Sequence, residues 1–224
     1  MFKLQRVFNK IRPKILGGLI PEGKLGLKII GFRNYVGGMW DEIGDLQFKY
    51  IVSQGMKPEH CFLDIGCGAL RGGVRFIEYL DRGNYLGFDK EQKLVDIGLN
   101  KVLSKELSDS KIPEFVISNK FQFNKFSKKP DFALALSLFT HLNTEDIVLC
   151  LKNLKKFVKK NHIFFATFFE GKSVENPSKS HSLDHFDYTK EEMIELGEKT
   201  GWESEYIGDW NHPRDQKMIK FIAK

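Results

Sequence analysis

The sequence predicts an α/β fold with a mostly parallel β-sheet. Short apolar runs alternate with longer amphipathic stretches along the 224 residues, which is typical of strand–helix–strand crossovers. The last two apolar runs follow each other without a long amphipathic stretch between them, as the strands of an antiparallel hairpin would. We therefore expect seven strands that are parallel except for the last, with helices covering both faces of the sheet.

The predicted elements can be placed from these runs. Strands are expected near residues 61–65, 84–88, 114–117, 131–136, 162–168, 202–207 and 216–223, and helices near residues 41–54, 71–81, 91–107, 143–159 and 189–200. Residues 170–188 show neither the apolar pattern of a strand nor that of an amphipathic helix, and they are rich in Ser, Asn, His and Asp. An unstructured stretch of that length in a compact domain is usually functional.

Two acidic residues mark a nucleoside site. Asp64 lies in an apolar run that turns on Gly66 and Gly68, and Asp89 ends the next run. A dinucleotide site would need a third glycine where this chain has Arg71. Asp64 would repel a pyrophosphate but suits a bound ammonium group. The pattern therefore favours a cationic nucleoside without phosphate, such as S-adenosylmethionine.

These residues resemble the class I S-adenosylmethionine-dependent methyltransferases, from about Tyr35 to the C-terminus. The resemblance implies a Rossmann-like sheet whose seventh strand is inserted antiparallel beside the fifth. In that family the first motif is an acid followed by Gly-x-Gly-x-Gly. Leu70 stands where the third glycine usually is, so Gly72 and Gly73 are expected to take up part of the turn.

The resemblance also implies roles for the residues at the strand ends. Gly66 and Gly68 would let the backbone approach the methionine part of the cofactor, and Asp64 would anchor its amino group. Asp89 would accept the ribose hydroxyls, with Phe88 and Lys90 beside the adenine. The complete set of expected cofactor contacts is Tyr35, Gly37, Gly38, Asp64, Gly66, Gly68, Phe88, Asp89, Lys90, Asn119 and Ser137.

Five members of this set come from three other segments. Asn119 follows the third strand and can offer its amide oxygen to the adenine amino group. Ser137 follows the fourth strand. Amino-methylating DNA enzymes of this fold carry an Asn/Asp-Pro-Pro-aromatic tetrad at that place, whereas this chain has Ser-Leu-Phe-Thr, which disfavours N-methylation of bases. Tyr35 leads into Gly37 and Gly38. With residues 209–214, this segment resembles a bacterial subgroup associated with surface saccharides or secondary metabolism, although the glycines could equally supply a tight turn.

Methyl transfer to oxygen calls for a base, and histidine is the usual one near neutral pH. His141, His181, His185 and His212 are predicted at the carboxyl edge of the sheet, whereas His60 and His162 precede strands at the other edge. His141, His185 and His212 are the candidate catalytic residues, with a hydrogen-bonded structural role as the alternative for each. Clustered carboxylates are missing after the fourth strand, so we expect no metal dependence.

The net charge of +6 is concentrated at the N-terminus. Residues 1–33 carry eight basic residues and one acid, +7, so residues 34–224 sum to −1. We therefore divide the chain into a basic amphipathic extension, residues 1–33, and a methyltransferase domain, residues 34–224. The extension could contact an anionic membrane surface, a protein partner or its own domain. The near-neutral remainder disfavours a nucleic-acid groove.

The sequence thus predicts a methyltransferase that acts on an oxygen of a small polar acceptor, such as a sugar or a sugar-linked intermediate. A signal-peptide pattern is missing, so we expect a cytoplasmic protein, with peripheral contact at the inner face of the membrane as an option. Two alternatives remain open. One is a non-catalytic S-adenosylmethionine-binding module, and the other is an RNA-directed methyltransferase that uses the basic arm.

Overall fold

The computed structural model describes residues 22–172 and 176–224. Its sheet runs in the order β3-β2-β1-β4-β5-β8-β7, with the additional strand β6 paired to β5. The strands are β1 (Phe62–Ile65), β2 (Tyr85–Asp89), β3 (Glu114–Ile117), β4 (Phe132–Ala135), β5 (Ile163–Glu170), β6 (Asp187–Tyr188), β7 (Trp202–Asp209) and β8 (Gln216–Ala223). The predicted α/β fold is confirmed. The two-residue strand β6 was not predicted, because it is too short to show an alternating pattern.

The helices pack on both faces of this sheet. They are α1 (Gly23–Ile30), α2 (Phe32–Tyr35), α3 (Trp40–Ser53), α4 (Gly73–Tyr79), α5 (Gln92–Ile97), α6 (Lys105–Lys111), α7 (Thr144–Phe157) and α8 (Lys190–Lys199). The amphipathic pattern predicted within residues 1–21 lies outside the described residues. None of the helices in the described ranges is both long and apolar enough to cross a bilayer.

The single helix predicted over residues 91–107 is wrong. Helix α5 passes into a π-helical turn at Gly98–Val102, and Ser104 then caps α6 by accepting the backbone N–H of Leu107 at 3.1 Å. Gly98 lies so close to Leu70 that a Cβ atom there would be 2.8 Å from Leu70 Cγ. This backbone contact and the serine cap together explain why the apolar periodicity does not continue as one helix.

The strand order creates a crevice beside β1. Both β2 and β4 pair parallel to β1, one on each side, with Asp64 opposite Gly87 and Leu134. The chain leaves β1 towards β2 and later returns to β4, so the loops after these strands diverge. Open α/β sheets bind ligands in such a crevice at the carboxyl ends of their strands.

The last two strands form the predicted antiparallel hairpin. Strand β8 lies between β5 and β7 and is antiparallel to both, from Ile163 opposite Ile222 to Phe169 opposite Gln216. The insertion predicted beside the fifth strand is therefore confirmed. Its consequence is that Gln216 and the turn before it reach the same edge as the ends of β1 and β4.

Each face of the sheet carries its own apolar core. The neighbouring residues Phe164 and Phe165 are both fully buried and point to opposite faces, as successive residues of a strand must. Phe164 belongs to the cluster that includes Leu151 of α7, and Phe165 belongs to the cluster that includes Ile43 of α3. Burial on both faces explains the nearly continuous apolar sequence of the central strands.

Candidate active site

A cleft of about 810 Å³ opens at the carboxyl ends of β1, β2 and β4. The structure brings together around it every residue that was predicted to contact a cofactor. Its lining includes Tyr35, Gly37, Gly38, Asp64, Gly66, Gly68, Phe88, Asp89, Lys90, Asn119 and Ser137. These residues come from five separate segments of the chain, so their meeting in one cleft is a property of the fold.

The glycine turn after β1 and the acid that ends β2 are joined directly. Gly66 and Gly68 have φ angles of +79° and +53°, a left-handed region in which side chains are strained. The backbone N–H of Gly68 donates to Asp89 Oδ2 at 2.8 Å, and that of Glu91 donates to Asp89 Oδ1 at 2.8 Å. Burial raises the pKa of Asp89, whereas these two hydrogen bonds lower it. The carboxylate is thus held in one orientation.

Asp64 is the second buried acid of the cleft. Its Oδ2 atom accepts a hydrogen bond from the Tyr85 hydroxyl at 2.8 Å. Burial raises the pKa of Asp64 to about 7, and the nearby Asp89 also raises it, while the Tyr85 hydrogen bond and Arg71 lower it. A cation placed beside this carboxyl group would favour its ionised form.

The expected contribution of Gly72 and Gly73 to the turn is wrong. Leu70 itself adopts the left-handed conformation, with φ of +64°, although its side chain is fully buried. Gly72 is right-handed, and Gly73 begins α4. These two glycines instead permit close packing, since a Cβ atom would lie 2.2 Å from Gln47 Nε2 at Gly72 and 2.5 Å from the Tyr85 hydroxyl at Gly73.

Two arginines hold the segment from Val36 to Gly38 over the cleft. Arg71 Nη1 donates to the carbonyls of Val36 and Gly38 at 2.9 and 3.1 Å, and Arg214 Nη2 donates to the carbonyl of Gly37. Burial, with the nearby Arg214, lowers the pKa of Arg71 to about 10, so it stays cationic near neutral pH. Sequence reasoning used Arg71 only to exclude a dinucleotide and missed its structural role.

The predicted functional segment between β5 and β6 reaches the same cleft through Ser180, His181, Ser182 and Leu183. Glu22 connects this segment to the strand end of β2, because it accepts the backbone N–H of Ser182 and lies 3.3 Å from Lys90 Nζ. Glu22, at the N-terminus of α1, therefore connects this helix to the loop at Ser182 and to Lys90 after β2. Its place after an apolar stretch gave no signal of this role in the sequence.

His141 lies in the lining of the cleft, at the loop after β4. Its Nδ1 atom is 2.6 Å from the carbonyl oxygen of Asp184. Because a carbonyl can only accept, the neutral imidazole carries its proton on Nδ1, and Nε2 is the basic nitrogen. Burial lowers the pKa of His141 to about 4. The ring is therefore neutral near pH 7.

The other two candidate bases do not reach the cleft. The His185 ring stacks on Phe169 at 4.0 Å, and its Nε2 atom lies 2.7 Å from Asp187 Oδ1. His212 is 1% exposed, stacks on Trp210 at 5.3 Å, and accepts the backbone N–H of Arg214 at 3.3 Å. Burial lowers the pKa of His212 to about 3. Each ring instead supports a residue that does line the cleft, Phe169 or Arg214.

The remaining histidines lie where the sequence predicted. His60 and His162 line a small cavity with Asp131 and Lys159, at the opposite edge of the sheet. His181 lines the main cleft, 3.8 Å from Glu22. Among the residues that the structure describes, no group of three or more His, Cys, Asp or Glu side chains is arranged to hold a metal ion.

A buried polar network fixes the loop after β4. Ser137 adopts a left-handed φ of +56°, and its backbone N–H donates to Thr167 Oγ1 at 2.7 Å. The hydroxyls of Ser137 and Thr167 both donate to Gln216 Oε1, at 3.0 and 2.8 Å. Sequence reasoning missed Thr167 and Gln216. The signal at Thr167 is a polar residue between the apolar residues of β5, whereas Gln216 begins β8 next to Lys217 and gives no such signal.

No protein-family model matches the sequence. Solved structures nevertheless share its fold over nearly the whole chain. Magnesium protoporphyrin IX methyltransferase from Synechocystis, with bound S-adenosylhomocysteine, is 14% identical, with a TM-score of 0.62 and coverage of 97% of this chain and 94% of that chain. Human N-acetylserotonin methyltransferase, in complex with S-adenosylmethionine, is 10% identical, with a TM-score of 0.65 and coverage of 97% and 66%.

A third structure is an S-adenosylmethionine-bound amino pentose methyltransferase from Micromonospora echinaspora. It is 12% identical, with a TM-score of 0.60 and coverage of 85% of this chain and 94% of that chain. At identities of 10 to 14%, these three matches show a shared fold. This chain has the fold of the class I S-adenosylmethionine-dependent methyltransferases.

Proposed function

We propose that the protein is a methyltransferase that binds S-adenosylmethionine and methylates an oxygen of a small polar acceptor, such as a sugar or a sugar-linked intermediate. The observation that carries this proposal is the meeting of Asp64, Gly66, Gly68 and Asp89 in one cleft at adjoining strand ends. Fold alone does not define activity, so the argument rests on the chemistry of these residues.

The lining fits the cofactor. When bound, S-adenosylmethionine supplies a methyl group on a positively charged sulfur. Asp64 would hold the ammonium group, and Asp89 would accept the ribose hydroxyls with the lone pairs that Gly68 and Glu91 leave available. Asn119, Phe88 and Lys90 would surround the adenine. The two carboxylates match a cationic ligand and would repel a pyrophosphate.

His141 is our proposed general base. It is the one of the three predicted catalytic histidines that lines the cleft, and its hydrogen bond to the Asp184 carbonyl leaves Nε2 as the atom that accepts the acceptor's hydroxyl proton. The neutral state at physiological pH suits this role. His185 and His212 would act indirectly, through Phe169 and Arg214.

The proposed reaction needs no metal ion. Hard cations such as Mg²⁺ prefer oxygen ligands, above all carboxylates. The loop after β4 lines the cleft with Leu136, Ser137, Leu138, His141 and Leu142, and α7 adds one acid, Asp146, which accepts a hydrogen bond from the Ser180 hydroxyl. One carboxylate does not form the cluster that such a cation prefers. The rate enhancement would come from holding the acceptor and the cofactor in reacting geometry, with His141 as the base.

The class of acceptor is supported by one comparison. The structure from Micromonospora echinaspora is that of an amino pentose methyltransferase, which favours a saccharide acceptor for a cleft of the same fold. The sequence resemblance to saccharide-associated methyltransferases points the same way.

We also propose that residues 1–33 form a docking extension on a cytoplasmic methyltransferase domain, residues 34–224. Its described part, α1, packs the buried Leu27 against Leu94 of the domain and exposes Leu25, 57% accessible, and Ile29, 58% accessible at the opening of the cleft, on a helix that also carries Lys24 and Lys28. Apolar and basic groups on one helix suit an anionic membrane surface. Cosedimentation of the protein with anionic vesicles, with neutral vesicles as the control, tests this part of the proposal. Binding of RNA to the same protein tests the alternative.

The cofactor assignment is tested by thermal unfolding with S-adenosylhomocysteine or a nicotinamide dinucleotide. We expect only the first to raise the melting temperature, and the reverse result would refute the proposal. Incubation of the protein with methyl-labelled S-adenosylmethionine and a cell extract, followed by mass spectrometry, should then reveal a labelled oxygen-methylated product. Binding without any labelled product would instead identify a non-catalytic module.

A further inference from the structure

The buried Tyr85 lies behind Asp64, which lines the cleft. We infer that Tyr85 is a positioning residue that fixes the Asp64 carboxylate towards the cofactor's ammonium group and so selects nucleosides that carry an amino acid over those that do not. The inference rests on the proposed function, because it concerns the same cofactor. It adds a residue that lies outside the cleft lining and that the sequence motifs do not identify.

The packing around the Tyr85 ring directs its hydroxyl group towards Asp64. Tyr85 begins β2, opposite Phe62 of β1, and is 2% exposed. Its ring packs beside Phe62 and Phe115, with centroids 6.3 and 5.9 Å away. The hydroxyl then reaches Asp64 Oδ2 at 2.8 Å. A ring enclosed in this way cannot turn aside without disturbing the core.

The neighbouring helix is shaped around this hydroxyl. A Cβ atom at Gly73 would lie 2.5 Å from the Tyr85 hydroxyl, so only glycine leaves room for it at the start of α4. Asp64 itself is 5% exposed yet lines the cleft. With Oδ2 occupied by the phenol, the carboxylate has a fixed orientation from which it can meet a ligand.

The charged and titratable groups that face Asp64 explain why the hydroxyl matters. Asp89 and burial raise the pKa of Asp64, whereas the Tyr85 hydrogen bond and Arg71 lower it. The thiol of Cys67, also buried nearby, has its own pKa raised and stays neutral. Loss of the phenol hydroxyl would therefore raise the pKa of Asp64 further and leave more of it protonated near pH 7.

The sign of the pH effect follows. An ammonium group binds the ionised carboxylate, so affinity should rise as pH rises through the pKa of Asp64, which is about 7. A nucleoside that lacks the ammonium group should show no such rise. A purely structural Tyr85 would lower stability when altered, but it would not distinguish these two ligands.

The test uses calorimetry with S-adenosylhomocysteine and with 5′-methylthioadenosine, which has the same nucleoside without the amino acid. We compare the unchanged protein with Tyr85→Phe, which keeps the ring. Tyr79→Phe is the matched control, because the Tyr79 hydroxyl donates to the Met56 carbonyl at 3.2 Å, away from Asp64. In Tyr85→Phe we expect binding of S-adenosylhomocysteine near pH 7 to weaken about tenfold, with 5′-methylthioadenosine unaffected.

Titrations from about pH 6 to about pH 8 supply a second readout on the unchanged protein. Affinity for S-adenosylhomocysteine should rise with pH and its binding should release protons, whereas 5′-methylthioadenosine should show neither effect. This measurement tests, without any variant, whether the ionised Asp64 meets the ammonium group.

The outcomes separate the two proposals. Equal weakening of both ligands in Tyr85→Phe, or weakening of neither, overturns the positioning role while the cofactor assignment stands. A flat pH dependence for both ligands in the unchanged protein removes the Asp64–ammonium contact, and the inference with it. Failure of the unchanged protein to bind S-adenosylhomocysteine overturns the proposed function, and the inference with it.

Discussion

Asp89 accepts the backbone N–H of Gly68 at 2.8 Å, so the acid at the end of β2 also fixes the glycine turn after β1. The two halves of the predicted nucleoside site are therefore one hydrogen-bonded unit. A carboxylate that accepts two backbone N–H groups is more strongly oriented than a free one. Its loss should affect both the ligand and the turn.

Asp89→Ala should therefore reduce two measured quantities. Affinity for S-adenosylhomocysteine should fall at least about tenfold, because a charge-assisted hydrogen bond contributes about 1.5–3 kcal/mol. The ligand-free protein should also lose about 1–3 kcal/mol of unfolding free energy, since the Gly68 and Glu91 N–H groups lose their acceptor. Calorimetry and urea unfolding measure these effects.

Glu78→Ala is the control, because Glu78 is an exposed acid on α4. It should leave both quantities nearly unchanged. Unaltered ligand affinity in Asp89→Ala would contradict the assignment of the strand end of β2 to the cofactor.

Gly37 and Gly55 form a matched pair for testing the segment over the cleft. Their φ angles are nearly the same, +95° and +97°. A Cβ atom at Gly37 would be 3.0 Å from Arg214 Nη1, whereas one at Gly55 would have no heavy atom within 4 Å. Alanine at either position should cost about 1–2 kcal/mol of stability through backbone strain.

Only Gly37→Ala should also weaken the binding of S-adenosylhomocysteine, because it displaces the arginine that holds the Gly37 carbonyl. Chemical unfolding and calorimetry on both variants provide the comparison. Equal ligand affinity in the two variants would show that the Arg214 contact is irrelevant to the cleft.

The sequence predicted for a physical reason which residues of the strand ends meet in the cleft. An acid followed by a glycine turn at a strand end is a local pattern, and parallel strands bring all such ends to one edge. Asp64, Gly66 and Asp89 could therefore be placed without tertiary contacts. The same rule placed His60 and His162 at the opposite edge.

Other features could not be predicted, because tertiary packing decides them. Leu70 takes a left-handed conformation that its residue type disfavours, and full burial holds it there. Which way a loop side chain faces is likewise decided by its neighbours. His212 turns onto Trp210 and away from the cleft, although its position in the sequence placed it at the correct edge.

His141→Ala should separate catalysis from binding. If Nε2 accepts the acceptor's proton, kcat should fall about 100-fold or more, while affinity for S-adenosylhomocysteine should stay within about twofold. The pKa of His141 is about 4, so the activity that depends on it should persist down to about pH 5 and disappear as pH falls through 4.

Initial rates on the identified acceptor, measured against pH, check this expectation. His60→Ala is the control, because His60 lies at the opposite edge of the sheet. A His141→Ala enzyme with unchanged kcat would remove His141 from the mechanism.

His162 should make the folded state sensitive to acid. It is 2% exposed, its Nδ1 atom lies 2.9 Å from the Pro130 carbonyl, and burial lowers its pKa from 6.5 to about 4. Between these two values the unfolded chain binds more protons than the folded protein, so stability falls as pH falls. The contribution of this one residue between about pH 6.5 and about pH 4.5 is on the order of 2 kcal/mol.

Urea unfolding at both pH values measures this contribution by comparing the unchanged protein with His162→Gln. The variant should be less stable near neutral pH, because it disturbs a buried site, but its free energy of unfolding should change less between the two pH values. Asp64 has a pKa raised to about 7 in the folded protein, so its protonation increases the free energy of unfolding as pH falls. Asp64 is present in both proteins, so its effect cancels in the comparison. An identical pH dependence in the two proteins would mean that folding leaves the pKa of His162 unchanged.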